Sequence, residues 1–354
     1  MPDRPPCLAL LCLALVFALG CVEPAPADPP PPEPPATAHW MADVFVDRPD
    51  TPIGRILLPG AFNSTSYACA EEHGISPDSP AVVLGLWGSD PVDPEHNNRP
   101  RIVGWAKTQG RSLGQQLEDG IRFVELNVTA KAGVLTTWHS VYGVPLGDVL
   151  DEVVAFAVAQ PQEVVLLNFG LTLDPADWTQ FEEALLTPRA DGVSLCDRVF
   201  DGDEDAAVAT LADVRARDRN LIWSPSGDLR AWLEERGRCP LSRGGVERIW
   251  SITDTPQGVE DAIAASVDVR DPERLLINDF VFSLGGVSSV GEQLDFLLGY
   301  PGAREASEAL GFSGDFPARL IDAYDGDANL NVLAGAFYED TDLVEASIAR
   351  NRAR

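Results

Sequence analysis

Eight short apolar runs, separated by amphipathic stretches, set the strongest limit on how this chain can fold. They are Arg55–Leu58, Arg122–Val128, Val134–His139, Glu163–Phe169, Asn220–Trp223, Arg248–Ile252, Arg274–Phe280 and Asn331–Phe337. Many are apolar on both faces, as parallel strands covered by helices must be. Between them the helical period recurs. Pro145 opens a segment to Ala159 that places Leu146, Val149, Leu150, Val153 and Phe156/Ala157 on one face. Shorter helices are expected at Leu113–Glu118, Leu229–Arg236, Val259–Ala265 and Leu343–Arg350. Eight strands alternating with helices predict an α/β protein, a (β/α)8 TIM barrel. The segment 64–110 reads as a long insertion of surface loops ahead of the second strand, and no internal repeat is found.

The chain has 354 residues, 45% of them hydrophobic, enough for a sizeable core. Its formal charge is −29, and the only lysines are Lys107 and Lys131. Such a surface repels polyanions, and without a basic patch nucleic-acid partners are excluded. Residues 1–20 read as an export signal: Arg4 is followed by an apolar run from Leu8 to Leu19, too short for a comfortable membrane span. Ala18-Leu19-Gly20-Cys21 resembles a bacterial lipobox, which makes Cys21 the expected lipidation site; an ordinary cleaved signal is the alternative. Residues 21–39 form a proline-rich tether and residues 40–354 the folded domain. The expectation is an exported lipoprotein held at the bacterial outer membrane or cell surface by its lipid anchor, or else a periplasmic or secreted protein. If Cys21 is lipidated, three cysteines remain, and Cys196–Cys239 is the expected disulfide.

Alternation within Phe123–Val128 sends Val124, Leu126 and Val128 to the helices, and Phe123, Glu125 and Asn127 to the barrel axis. The polar pair then lies at the C-terminal end of its strand, the end where barrels carry their active sites. A buried Glu beside an Asn needs a partner, so a site is favoured there over a polar layer plugging the barrel. His139 ends an apolar run where a strand hands over to a loop, and it joins this candidate site.

An ordered set of segments extends the pattern. It runs through Trp40-Met41, Leu58-Pro59-Gly60-Ala61-Phe62-Asn63-Ser64, Trp105 with Gln109, and Leu113–Leu117. It continues through Gly120–Val128, His139-Ser140-Val141-Tyr142-Gly143, Pro161–Phe169, Leu275–Phe280 and Asn331–Tyr338 with Asp342–Glu345. Over roughly residues 40–352 this set resembles the phosphatidylinositol-specific phospholipase C X-domain family. The glycerophosphodiesterases share the superfamily, and Glu125-Leu126-Asn127 followed by His139 echoes their pattern too. The resemblance implies a phosphoric diester hydrolase acting in lipid metabolism, with a phosphodiester lipid or its headgroup as ligand. It also implies attack by an inositol hydroxyl on phosphorus, with one His as general base and another as general acid.

Carried over residue by residue, that machinery is incomplete. His139 falls on the general-acid position. The base position is Phe62, whose ring accepts no proton, and the Asp that would orient the base corresponds to Ala336. Asn63, Glu125 and Asn127 match positions that hold calcium in the calcium-dependent branch, so calcium is the one cofactor the resemblance allows. With His139 they make up the candidate catalytic set. Loss of a general base removes roughly two to four powers of ten in rate. Two readings therefore stay open: a phosphodiester hydrolase with altered chemistry, and a catalytically silent barrel that binds a ligand or partner in the same pocket. His73 or His96 folding back would supply a substitute base. Asp325-x-Asp327-x-Asn329 and Asp201-x-Asp203-x-Asp205 lack the glycine of calcium loops and read as solvated turns.

Overall fold

The computed structural model describes residues 36–88, 97–250, 255–267, 270–271, 273–281, 290–324, 326 and 330–354. The export signal, Cys21, residues 21–35 of the tether, His96, and Asp325, Asp327 and Asn329 lie outside these residues. Among the described residues nine strands form: β1 (Leu58–Ala61), β2 (Phe123–Lys131), β3 (Val134–His139), β4 (Val141–Pro145), β5 (Val165–Thr172), β6 (Leu221–Trp223), β7 (Val246–Trp250), β8 (Leu275–Phe280) and β9 (Val332–Gly335). Seven of them run parallel in the order β6-β5-β2-β1-β9-β8-β7. This is the wall of the expected barrel, with no ladder joining β6 to β7 among the described residues.

Two strand assignments need correction. Val134–His139 is not a barrel strand: it pairs antiparallel with β2 and then with β4, forming a hairpin that extends above the wall. The turn Ala132-Gly133, with both residues at positive φ, reverses the chain there. The first strand lies at Leu58–Ala61 rather than Arg55–Leu58, because Ile53–Arg55 forms a 3-10 turn. The expected helices form at Leu113–Glu118, Leu146–Ala159, Gly227–Arg236, Pro256–Val267 and Leu343–Ala353. In Leu146–Ala159 the buried face includes Leu146, Val149, Leu150, Val153, Phe156 and Ala157. The segment 64–110 is more ordered than a set of surface loops. It carries helices Ala81–Trp87 and Arg99–Ala106 and a small core of Cys69, Ile102, Ala106 and Val141. No described helix is long and apolar enough to cross a membrane.

The N-terminal end of the barrel is closed by one buried ion pair. Arg122, just before β2, and Glu163, just before β5, are both inaccessible to solvent, and Arg122 Nε lies 2.9 Å from Glu163 Oε2. The Arg122 guanidinium also donates to the carbonyl oxygens of Leu117, Ile121 and Ala38. Glu163 accepts from the backbone N–H groups of Met41 and Ala42. Residues 36–39, assigned to the tether from sequence, are therefore part of the fold: they form a 3-10 turn in which Ala38 is buried. Cys196 and Cys239 are disulfide-bonded, with Cα atoms 5.1 Å apart, and Cys69 is a buried thiol.

Removing one partner of a buried pair leaves the other charge unmatched, at a cost of about 3–5 kcal/mol. Urea denaturation of Arg122→Met is expected to show a loss of that size. A loss below about 1 kcal/mol would mean that the pair does not hold the barrel floor.

Candidate active site

The opposite end of the barrel collects the polar residues. Partners across parallel strands share a face, so the chain of pairs Glu125↔Asn168, Gly60↔Phe123, Gly60↔Ala334, Ala334↔Asp279 and Asp279↔Trp250 maps one side of the wall. Glu125, Asn127, Asp279 and Arg248 lie on that side, near the C-terminal ends of their strands.

At the centre stands Arg248, between two carboxylates. It makes a bidentate pair with Asp279, from Nε to Oδ2 at 2.6 Å and from Nη2 to Oδ1 at 3.0 Å. Its Nη1 donates to Glu125 Oε1. Burial opposes the charge on this guanidinium, but Glu125 and Asp279 outweigh it and raise the Arg248 pKa. Burial also pushes the Asp279 carboxyl up to about 6, against the downward pull of Arg248. The second Glu125 oxygen accepts the backbone N–H of Asn63 at 2.9 Å. The Asn127 side-chain amide donates to Asn63 Oδ1. Gly170 opposite makes room for this: a Cβ there would fall 2.0 Å from Asn127 Oδ1.

His139 is partly exposed at the rim. Its Nδ1 donates to the Ala106 carbonyl oxygen at 2.7 Å, which fixes the proton on that nitrogen in the neutral ring. Burial lowers its pKa, while the Ala106 carbonyl and Glu125 pull the other way. The Phe62 ring stands edge-on to His139, centroids 6.2 Å apart, and edge-on to Trp250 at 5.8 Å. The Arg248 guanidinium lies 5.3 Å from the Trp250 ring and 5.8 Å from that of Phe62. The mouth thus holds an imidazole, an aromatic pair and a charged triplet.

The backbone around these groups is strained at three points. Asn63, Ser140 and Phe337 all have positive φ, and they directly follow Phe62, His139 and Ala336. Non-glycine residues in this region cost of order 1–3 kcal/mol each. Residues 106–109 hold them in place. Gln109 Nε2 donates to the Phe62 and Gly335 carbonyl oxygens, Thr108 Oγ1 donates to that of Phe62, and the Phe337 N–H donates to that of Thr108.

The structure brings together all four sequence candidates, Asn63, Glu125, Asn127 and His139. It adds Arg248, Asp279 and Trp250, which sequence reasoning did not single out, and Gln109, which the sequence offered only as part of the family resemblance. The signal for Arg248 was an arginine two residues before Trp250 in the strand Val246–Trp250, on the same face; Asp279 follows Asn278 in an otherwise apolar run. Calcium does not fit Asn63, Glu125 and Asn127 as they stand. Arg248 and the Asn63 N–H engage both Glu125 oxygens, and the Asn127 amide engages Asn63 Oδ1. A guanidinium already supplies the positive charge a hard cation would bring. Ala336 lines a separate cavity of about 340 Å³ with Phe337 and Arg304. His73 ends the 3-10 turn Glu71–His73, and its carbonyl oxygen accepts from Lys131 Nζ of the hairpin at 2.5 Å.

Asp279 makes the site sensitive to pH. A carboxyl raised to about 6 in the folded protein, from an ordinary value of 3.8, favours folding while protonated. That contribution is complete below about pH 4 and is lost as pH rises through about 6, by about 3 kcal/mol. Denaturation of the protein and of Asp279→Asn between pH 4 and 7 is expected to show the unsubstituted protein losing stability relative to the variant. Parallel profiles would place the Asp279 pKa near its ordinary value.

No protein-family model matches the chain. Individual proteins do. The mouse PI-PLC X domain-containing protein 2 is 30% identical over 137 residues, 38% of this chain and 38% of that protein. The variant-surface-glycoprotein phospholipase C of Trypanosoma cruzi is 28% identical over 257 residues, 71% of this chain and 63% of that protein. The chain thus spans less than half the length of the X-domain relatives it matches. Among solved structures, the phosphatidylinositol-specific phospholipase C of Listeria monocytogenes superposes with a TM-score of 0.58 at 15% identity, covering 89% of this chain and 98% of that one. A Staphylococcus aureus phosphatidylinositol-specific phospholipase C gives 0.55 at 16% identity, over 90% and 97%. The chain is similar in sequence to the PI-PLC X-domain proteins and has the TIM-barrel fold of the phosphatidylinositol-specific phospholipases C.

Proposed function

We propose that the barrel mouth recognises the phosphorylated polyol headgroup of a lipid and does not cleave phosphatidylinositol by paired acid–base catalysis. The observation that carries this reading is the Phe62 ring beside His139. A phenyl group in place of a base leaves the attacking hydroxyl with nowhere to send its proton. The nearest carboxylates, Glu125 and Asp279, are both bound to Arg248. A general acid must also carry a proton at working pH, and burial pushes the His139 pKa down. What remains suits recognition of hydroxyl groups: carboxylates, amides and a guanidinium beside an exposed Trp250 ring.

A second reading rests on the His139–Ala106 hydrogen bond. With Nδ1 protonated, Nε2 presents a lone pair and has no partner among the described residues. Neutral His139 then acts as a base that activates water, with Arg248 beside the phosphate, as a glycerophosphodiesterase-like hydrolase would need. An exported, lipid-anchored location is part of the proposal. It is supported by the Ala18-Leu19-Gly20-Cys21 sequence and by the Cys196–Cys239 disulfide, a bond that persists in oxidising compartments.

Phosphatidylinositol and glycerophosphodiesters, with and without calcium, are the substrates to assay against the protein and His139→Ala. The expected outcome is binding of inositol 1-phosphate, weakened by Arg248→Gln, with no phosphatidylinositol turnover above the His139→Ala level. Turnover lost about 100-fold or more in His139→Ala would sink the non-catalytic reading. If glycerophosphodiester activity appeared and rose with pH through the His139 titration, the second reading would replace the first. NMR titration is expected to place the His139 pKa below 6.5.

A further inference from the structure

The barrel wall is interrupted where β6 and β7 would meet: among the described residues β6 is laddered only to β5, and β7 only to β8. A cavity of about 630 Å³ occupies this seam, within the usual size range of small-molecule sites. It starts in the lumen beside Asn168 and Arg248 and runs outward past Phe169 and Trp223 to Trp178 and Leu229.

Two properties of its lining point to one class of ligand. The outer wall is apolar and aromatic, with the Trp223 and Phe169 rings edge-on at 5.4 Å. Among the described residues, three arginines line the cavity, Arg230, Arg248 and Arg274, and no Asp or Glu does. In a chain with 55 acidic and 26 basic residues, that charge selection is not a by-product of composition. Arg230 is paired with Glu234 at 2.8 Å, and Arg248 lies between its two carboxylates. Arg274 has no carboxylate partner among the described residues, and its side chain makes one hydrogen bond there, a 3.4 Å donation to the Val246 carbonyl oxygen. Gly245 leaves the space in which it lies, since a Cβ there would fall 2.6 Å from Arg274 Nε. Ser226 and Gly227 line the same cavity at the start of the ten-residue helix Gly227–Arg236, and the Ser226 side chain makes no capping bond. A helix start adds N–H groups and partial positive charge to the unpaired guanidinium.

We propose that the seam binds a single-chain amphipath with an anionic head. Its acyl chain lies along Phe169, Trp178, Trp223 and Leu229. Its phosphate or carboxylate meets Arg274 and the helix start. This goes beyond the headgroup reading of the mouth and does not depend on it.

The test is calorimetric titration of the protein with lysophosphatidic acid, a fatty acid of the same chain length and the matching fatty alcohol, each below its micelle concentration. Both anions are expected to bind at least tenfold more tightly than the alcohol, and the tighter anion identifies the head group. Arg274→Glu, on the exposed rim, should weaken the anions tenfold or more while circular dichroism stays unchanged. Saturating inositol 1-phosphate should leave amphipath binding in place, so that failure at the mouth and failure at the seam read separately. The proposal is overturned if the alcohol binds as tightly as the anions, if Arg274→Glu changes nothing, or if inositol 1-phosphate displaces the amphipath.

Discussion

Arg122 and Glu163 are two charges withdrawn completely from water, and the rest of the barrel is arranged so that neither is left unmatched. Arg122 sits one residue before β2 and Glu163 two before β5, so their contact fixes how the two strands start relative to each other. The next pairs follow directly: Phe123 opposite Leu166, then Glu125 opposite Asn168. A one-residue slip would turn Glu125 towards the helices. The same pair ties down the chain before β1 through the carbonyl oxygen of Ala38 and the N–H groups of Met41 and Ala42. The positions of the mouth residues are thus set about two rungs away, by a group that never touches them.

At the mouth the problem is the same and the answer is different. Glu125 and Asp279 are buried carboxylates on β2 and β8, and Arg248 from β7 bridges them. One cation serves two carboxylates here, and burial raises the Asp279 pKa in spite of it. A buried His at position 62 with an Asp at 336 would have added a second charged pair to the same end of the barrel. Phe62 and Ala336 avoid this: the ring fills space against His139 and Trp250, and no charge is orphaned. Fold and chemistry can part in this way because the wall needs only volume and satisfied polar groups, whereas proton transfer needs particular atoms.

Much of this was legible in the sequence, for identifiable reasons. Helix Leu146–Ala159 is readable because its period survives over four turns, and Glu125 and Asn127 because period-two alternation in a strand assigns faces without tertiary information. The hairpin was not. Val134–His139 has the composition of a wall strand, and its antiparallel pairing with β2 depends on the turn at Ala132-Gly133, which composition alone does not separate from a loop to a helix. Residues 36–39 read as tether because Ala-Thr-Ala-His carries no core signal; they are ordered by the Thr37 hydroxyl and by carbonyl oxygens that accept from Arg122, contacts with little sequence signature. Arg248 and Asp279 were passed over for a related reason. Each sits beside a second polar residue, Glu247 and Asn278, in an otherwise apolar run, and only the strand order shows that they meet.

The backbone of the mouth is held independently of the side chains it displays. Asn63, Ser140 and Phe337 keep left-handed conformations, and the segment 106–109 ties the neighbouring chain together through backbone groups of Phe62, Gly335 and Phe337. His139 is held to the same segment through the Ala106 carbonyl oxygen. None of the bonds at Phe62 or Gly335 involves the side chain at position 62 or 336. Exchanging those two side chains therefore alters what the mouth can do to a ligand without removing any bond that shapes it. The strain at these three residues is sustained by hydrogen bonds from the Gln109 and Thr108 side chains to main-chain carbonyl oxygens and by the Phe337 N–H, and it aims His139, Phe62 and Asn63 into one space whether or not a proton can pass between them.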